Sequence, residues 1–304
     1  MKVTIGSRAS LLARRQAEMV EERLSQGLEV ERKVFSTLGD TPRELPARRY
    51  EYTGIFTREL EEALLSGFID IVVHSLKDVP TKLPDGLVLA AFLPRGDPRD
   101  ALVSPHGSLN QLPRGAVVGT SSLRRRSQLM KYRSDFELKE MRGNVDTRIA
   151  KLDEGLFDAI VLAACGLERI GLAHRIVERI DASIMLPAAC QGIIVVEARS
   201  EDADTIALAR NINDEESQFI AEAERTFLES IEGGCRVPVG CLGVVNGEGM
   251  RIEGMIGDNT GISVRAVVSG ALSDRVNLAK NLADKLLDQG GDAILTKFKR
   301  EREA

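Results

Sequence analysis

Short runs of Val, Ile and Leu alternate with stretches of helical periodicity along most of this chain, and that alternation limits the folds open to it more than any other feature. Lys2–Gly6, Glu29–Leu38, Ile69–His74 and Leu87–Leu93 read as strands. Between the first two, Ala13, Ala17, Val20 and Leu24 step by four, three and four, which is one face of a helix. Phe56, Leu60 and Leu64 mark a second helix, closed by Gly67. A further round follows, with strands Ala116–Gly119, Glu137–Met141 and Asp158–Ala163 and helices Leu123–Tyr132, Val145–Glu154 and Ala173–Ile180. Strands that take turns with helices predict an α/β fold with parallel or mixed sheets. Gly192–Ala198, rich in Ile and Val, reads as a strand that returns to the first unit. From Glu215 the pattern becomes a helix (Ser217–Glu229), short strands set apart by Gly247, Gly249, Gly257 and Gly261, and a last helix (Ala279–Gln289), an α+β arrangement.

At 304 residues the chain is longer than one core usually serves. Three domains are expected: 1–94 together with about 192–212, then 98–187, then 215–304. Pro94–Asp100, polar and turn-forming, is the first expected crossing between domains, and Pro187–Gly192 the second; both are candidate hinges. An echo links the first two domains: Gly6-Ser7-Arg8-Ala9-Ser10-Leu11 and Gly119-Thr120-Ser121-Ser122-Leu123 each follow a strand and open an Arg-bearing helix. Gly39–Thr53 holds two prolines, many charges and no periodicity, as expected of a long functional loop.

Composition sets the class. Hydrophobic residues make up 43% and charged residues 29%, which is globular, while 4% aromatics and no Trp leave the cores to aliphatic side chains. No uncharged apolar run approaches the ~18 residues of a membrane span, and the first residues lack the continuous apolar stretch of a secretory signal. A soluble cytoplasmic protein is expected. Cys165 and Cys190 sit in apolar contexts suited to a core, and Cys235 and Cys241 have neither a CxxC partner nor a nearby His, so neither a metal site nor a disulfide framework is expected.

The charge is −5, yet Arg outnumbers Lys 30 to 11. Genome composition or a heat-adapted source would account equally well for the number; the position is more telling. Between Val118 and Arg148 stand Arg124, Arg125, Arg126, Lys131, Arg133, Lys139, Arg142 and Arg148, against Asp135, Glu137, Glu140 and Asp146. A guanidinium fork fits a carboxylate or phosphate where an ammonium is a point charge. A small acidic ligand suits such a window; nucleic acid does not suit an acidic protein with few aromatics.

Strand-to-helix junctions are where an anion would be held, because free N–H groups and the helix dipole meet there. In GTSSLRRR, Thr120, Ser121 and Ser122 are either ordinary caps or ligands, with Arg124 and Arg125 within one turn. In MRGNVDTR, Arg142 at the end of a strand and Arg148 near the next helix start are either solvated or part of the same site. Both junctions should open on one sheet edge. After Ile69–His74 come Ser75, Lys77 and Asp78, which form either a solvated turn or a fixed negative charge facing the anion site, able to stabilise a developing cation. His74 is expected to pack or cap within its strand. Cys235, in Glu232-Gly233-Gly234-Cys235-Arg236, is either an incidental loop thiol or one biased towards thiolate by its Arg neighbour.

VHSLKDVP, GTSSLRRR, RGNVDTR, LPAACQG and EGGCRVPVG, in this order and spacing, resemble the porphobilinogen deaminase family over nearly the whole chain. The resemblance implies three domains, the first two α/β and periplasmic-binding-protein-like, the third a smaller α+β domain. It implies the activity of hydroxymethylbilane synthase, which condenses four porphobilinogen molecules on a covalent dipyrromethane and releases a linear tetrapyrrole. Cys235 would carry the dipyrromethane through a thioether, made from the protein's own substrate. Asp78 would hold pyrrole N–H groups, stabilise the azafulvene cation formed as ammonia leaves, and assist proton transfer. Ser75, Lys77, Ser122, Arg124 and Arg125, with Asp78, would hold the cofactor. Arg8, Ser10, Phe56, Thr120, Arg142, Arg148, Arg169 and Gln191 would hold substrate or the growing chain. The expected partner is porphobilinogen alone, bound by a monomer, with neither nucleic acid nor membrane involved.

Two residues depart from the family's pattern. Thr53-Gly54-Ile55-Phe56 stands where many members begin with Lys, leaving Arg48 and Arg49 as candidates to replace that lysine, and Asp146 stands where Gly or another small or polar residue is common. The alternative function is a two-lobed anion-binding protein without catalysis, which would need the arginines but not Cys235 or Asp78.

Overall fold

The structure, a computed structural model, describes residues 2–24, 28–36, 57–231 and 237–303. The loop Gly39–Thr53, Arg48, Arg49, Phe56 and Cys235 lie outside the described residues.

In chain order the elements are β1 (Lys2–Arg8), α1 (Leu11–Leu24), β2 (Glu29–Phe35), α2 (Arg58–Leu65), β3 (Ile71–Ser75), β4 (Leu87–Phe92), β5 (Asp100–Val103), β6 (Val117–Gly119), α3 (Leu123–Tyr132), β7 (Glu137–Lys139), α4 (Val145–Asp153), β8 (Ala159–Ala163), α5 (Ala164–Arg169) and β9 (Glu178–Arg179). They continue with β10 (Ile194–Arg199), α6 (Ala203–Arg210), α7 (Glu215–Ser230), β11 (Val239–Asn246), β12 (Gly249–Gly257), β13 (Ser263–Ala271), α8 (Arg275–Leu286) and α9 (Asp292–Glu303). The chain divides into two compact units, one of residues 1–96 and 192–218, the other of residues 97–191 and 219–304.

The first unit holds a five-stranded sheet in the order β2-β1-β3-β10-β4, and the second holds one in the order β7-β6-β8-β5-β9. These are the same order: three parallel strands, then one antiparallel strand, then an edge. In each sheet the antiparallel strand, β10 or β5, is the one reached through a crossing between the units. The sequence echo falls on corresponding strands. Gly6 and Gly119 both sit where a Cβ would overlap a neighbour, 2.4 Å from Ile69 Cδ1 and 2.6 Å from Met141 Cε respectively. Because β10 and β5 run against their neighbours, their first residues lie at the C-terminal edge of the parallel strands: Ile194 pairs with Ser75, and Asp100 with Ala163.

Aliphatic side chains fill both units, as the scarcity of aromatics requires. Val3, Ile5, Val20, Val73 and Val196 share the first core. The second sheet is buried on both faces, with Leu102, Val118 and Val161 on one side and Ala101, Val103, Ile160 and Leu162 on the other. The remaining sheet is antiparallel, in the order β11-β12-β13. Phe227 of α7 and Leu282 and Leu286 of α8 press on it so closely at Gly254 that a Cβ there would lie 2.9–3.1 Å from them.

One predicted helix is not formed. Ala173–Ile180 is a 3-10 turn (Ala173–Arg175) followed by β9. Val177 N donates to Leu102 O at 3.0 Å and Ile180 N to Asp100 O at 2.8 Å. Edge pairing with β5, favoured by the β-branched Ile176, Val177 and Ile180, overrides the weak helical spacing. The short elements β5, α5 and α6 were not anticipated from the sequence.

Candidate active site

In the first unit the site residues gather at the C-terminal edge of β1 and β3, parallel neighbours with Gly6 beside Val72. Arg8 ends β1, and the Ser10 hydroxyl accepts Ala13 N at 3.2 Å, capping the first turn of α1. Ser75 ends β3; its hydroxyl accepts Gln16 Nε2 at 2.8 Å and faces Gln16 Oε1 at 3.1 Å. A 3-10 turn, Leu76–Asp78, follows. Leu76 N donates to Ile193 O at 3.0 Å, Val79 N donates to Leu76 O at 3.1 Å, and the Leu76 and Val79 side chains are buried. Asp78, between those anchors, is exposed, and its carboxylate has no hydrogen-bond or ion-pair partner among the described residues. Lys77 is half-buried. The chain is thus anchored on either side of this carboxylate, at Leu76 and at Val79.

Beneath that edge lies a buried cluster. His74 does pack within the sheet, with Nε2 at 3.1 Å from Glu197 Oε2 on β10. Glu61 on α2 belongs to the same region: burial pushes its carboxyl pKa up, and the charge of Glu197 adds to it.

In the second unit the structure brings the two predicted junctions together. β6 and β7 are parallel neighbours, and the Ser121 hydroxyl donates to Met141 O at 2.8 Å and accepts Met141 N at 3.0 Å, tying GTSS to MRGN. Ser122 caps α3 by accepting Arg125 N at 3.4 Å, and Thr120 is buried with its hydroxyl accepting Ser122 N at 3.2 Å. Arg142 is exposed, 3.5 Å from Glu140. Arg148 is half-buried, and its Nε donates to Gly143 O at 2.7 Å. Arg169 closes α5, where burial depresses its guanidinium pKa.

Arg124 and Arg125 are almost wholly buried, at 5% and 6% exposure, around Asp100, which is 0% exposed. Arg124 Nη1 donates to Asp100 Oδ2 at 2.6 Å and to Leu186 O at 2.7 Å. Arg125 donates to Asp100 Oδ1 from Nε (3.1 Å) and Nη2 (2.7 Å), and to Val161 O from Nη1 (2.9 Å). Gln191, also buried, donates from Nε2 to Pro98 O at 2.7 Å and to Asp100 Oδ1 at 2.9 Å. Burial by itself would raise the Asp100 carboxyl pKa, but the two guanidinium charges hold it well below the usual carboxylate range. Two guanidiniums against one carboxylate leave a net positive charge in a place nearly closed to water. Arg124 still has its Nε and Nη2 hydrogens without a hydrogen-bond partner among the described residues.

Asp100, Glu197 and Glu224 are the residues that sequence reasoning missed. Glu224 is a buried carboxylate that accepts Cys190 N and Gly243 N, the latter at 2.7 Å, tying the second crossing to β11. Cys190 and Cys165 are buried as expected. Among the described residues no group of three His, Cys, Asp or Glu side chains is placed to hold a metal, and no helix is long and apolar enough to cross a membrane.

Comparison with known proteins gives the family. The family model "Porphobilinogen deaminase, dipyromethane cofactor binding domain" matches residues 3–207, and the model "Porphobilinogen deaminase, C-terminal domain" matches residues 218–288. The chain belongs to the porphobilinogen deaminase family. Porphobilinogen deaminase of Roseiflexus sp. (strain RS-1) is 48% identical over 295 residues, 96% of this chain and 97% of that relative. That of Pelotomaculum thermopropionicum is 44% identical over 305 residues, 99% of this chain and 98% of the relative. Among solved structures, a lipoprotein from Treponema pallidum aligns with a TM-score of 0.41 at 18% identity, over 69% of this chain and 90% of that one.

Membership of the porphobilinogen deaminase family carries the activity of a transferase, hydroxymethylbilane synthase, in tetrapyrrole biosynthesis. Four porphobilinogen molecules condense with loss of ammonia on a dipyrromethane primer, and water releases the linear product. The alternative of binding without chemistry falls with that assignment. The donor set fits the cofactor: its acidic arms are carboxylates, and the buried Arg124–Asp100–Arg125 group carries an excess positive charge with guanidinium donors to spare.

Proposed function

We propose that Asp78 is the catalytic carboxylate of this transferase and that Cys235 carries the dipyrromethane through a thioether. The observation that carries the first assignment is the exposed Asp78 carboxylate, without a partner among the described residues, on a turn whose neighbours Leu76 and Val79 are buried. A fixed negative charge of this kind needs no reorganisation when positive charge develops nearby. Asp78 holds the pyrrole N–H groups, stabilises the cation left on porphobilinogen as ammonia departs, and takes part in moving the proton. Ser75, Lys77, Ser122, Arg124 and Arg125 hold the cofactor's carboxylates; Arg8, Ser10, Phe56, Thr120, Arg142, Arg148, Arg169 and Gln191 serve the substrate and the growing chain. When bound, the dipyrromethane supplies the pyrrole carbon on which the next unit is added.

We place these roles on three domains, residues 1–94 with about 192–212, residues 98–187, and residues 215–304. The repeated sheet order and the separate antiparallel sheet support that division. A monomer in the cytoplasm is the setting we propose.

Asp78→Ala tests the assignment. The side chain is exposed, so the fold and thermal midpoint should hold, while kcat should fall by about 10²–10³ or more, the usual loss when a preorganised charge is removed. Near-normal turnover would take Asp78 out of the mechanism.

A further inference from the structure

We propose that Asp100 is a positioning residue for the cofactor. It would fix the inner edges of Arg124 and Arg125 so that the outer edge of Arg124 meets an acid arm of the dipyrromethane. The inference rests on the reading that these two arginines hold the cofactor.

The fold itself does not call for a carboxylate at this position. Asp100 opens the antiparallel strand of its sheet and pairs with the last residue of β8. The corresponding residue of the first unit, which opens β10 and pairs with the last residue of β3, is Ile194. The same architecture is therefore completed in one unit by an apolar side chain and in the other by a fully buried charge. Burying a carboxylate is costly, and well-packed apolar residues often replace a buried ion pair without loss of stability. Asp100 is thus better explained by what it holds. Three of the four hydrogen bonds to its carboxylate come from Arg124 and Arg125 and the fourth from Gln191, and all three residues are assigned to the cofactor or substrate.

The geometry defines its task. A guanidinium has five N–H donors in a fixed plane. With both Nη1 hydrogens of Arg124 committed to Asp100 and Leu186 O, the plane cannot rotate, and Nε and Nη2 form the edge that remains. That edge presents parallel donors, the arrangement that grips a carboxylate in two places. Arg125 is held on three sides, by Asp100 through Nε and Nη2 and by Val161 O through Nη1, and contributes mainly charge. Asp100 cancels one of the two positive charges; the other is left for the ligand's carboxylate. Gln191 brings the second crossing to the same oxygen as Arg125, so the chain enters and leaves this unit beside the site.

The test is a double-mutant cycle read by intact mass, which reports the fraction of purified protein carrying two extra pyrrole units. D100N and R124Q should each lower that fraction about tenfold in protein shown by circular dichroism to be folded at the assay temperature. Because one residue acts through the other, the double variant should lie within about twofold of the worse single variant. R126Q provides the control: Arg126 sits on the same helix but donates to Leu138 O, so its effect should multiply with that of D100N. A merely structural Asp100 would couple to neither. Should D100N fail to fold, D100N combined with R125M keeps the net charge of the cluster, and it should still carry less cofactor than R125M alone. Folded D100N with a wild-type fraction, multiplicative D100N and R124Q effects, or equality of the charge-balanced pair with R125M would overturn the inference. A wild-type protein without the added mass would instead sink the underlying cofactor assignment, and R124Q with a wild-type fraction would sink the role given to Arg124.

Discussion

Leu76→Ala tests whether the buried ends of the 3-10 turn are what hold Asp78 in place. Leu76 is 1% exposed and lies two residues before the proposed catalytic carboxylate. Removing three buried carbons forfeits about 2.4 kcal/mol of transfer free energy at ~0.8 kcal/mol per methylene. The incompletely collapsed cavity adds to this, for a total of about 3 kcal/mol. The unfolded fraction should rise on the order of a hundredfold and the thermal midpoint should drop by roughly 5–10 °C. The backbone bonds from Leu76 N to Ile193 O and from Val79 N to Leu76 O survive the substitution, as does the buried Val79. The turn should therefore loosen without being lost. Measured well below the new midpoint, kcat should fall about tenfold, equivalent to ~1.4 kcal/mol, with a smaller change in KM. Circular dichroism melts and steady-state kinetics decide the matter. A destabilised variant with unchanged kcat would show that the anchors do not position Asp78, and an unchanged midpoint would contradict the packing argument itself.

Glu61→Gln should raise the thermal midpoint at neutral pH. Burial lifts the folded-state pKa of Glu61 above its ordinary 4.5, so the folded protein loses stability as pH rises from the unfolded pKa through the folded one. The gain from the glutamine should shrink towards zero in melts recorded below about pH 4.5, and a gain independent of pH would refute the assignment. Gly192→Ala should cost about 2–4 kcal/mol in chemical denaturation, because φ is +97° and the new Cβ would lie 2.5 Å from Gly96 O. A neutral effect would mean that the backbone at the second crossing yields more easily than its pairing with Gly96 N suggests.

Much of the fold was legible because local signals and tertiary packing agree. The stripe Ala13, Ala17, Val20 and Leu24 is buried on α1, and α3 spans Leu123–Tyr132 as its periodicity predicts. The strand predicted at Gly192–Ala198 does return to the first sheet, as β10. Apart from α9, which lies beyond the last predicted helix, what failed is short or set by distant partners. β5 has four residues, buried on both faces, behind a polar crossing, so it shows no alternation to read. β9 exists because β5 pairs with it. The candidate site divides in the same way. The GTSS and MRGN junctions were legible from hydroxyls and arginines, and Ser121 joins them. Asp100 was not, because an aspartate in Pro-Arg-Gly-Asp-Pro-Arg-Asp looks like one more turn residue until a non-local strand pairing buries it beside Arg124 and Arg125. Glu197 was hidden likewise inside the apolar run of β10, and only its non-local contact with His74 reveals a role.

The measurement closest to the central claim is the intact mass of freshly purified protein, with and without Cys235→Ser. The account predicts a species heavier than the 304-residue chain by two pyrrole units, and an unmodified mass for the serine variant. A wild-type mass equal to the bare sequence after incubation with porphobilinogen, or an increment that persists in the serine variant, would contradict it.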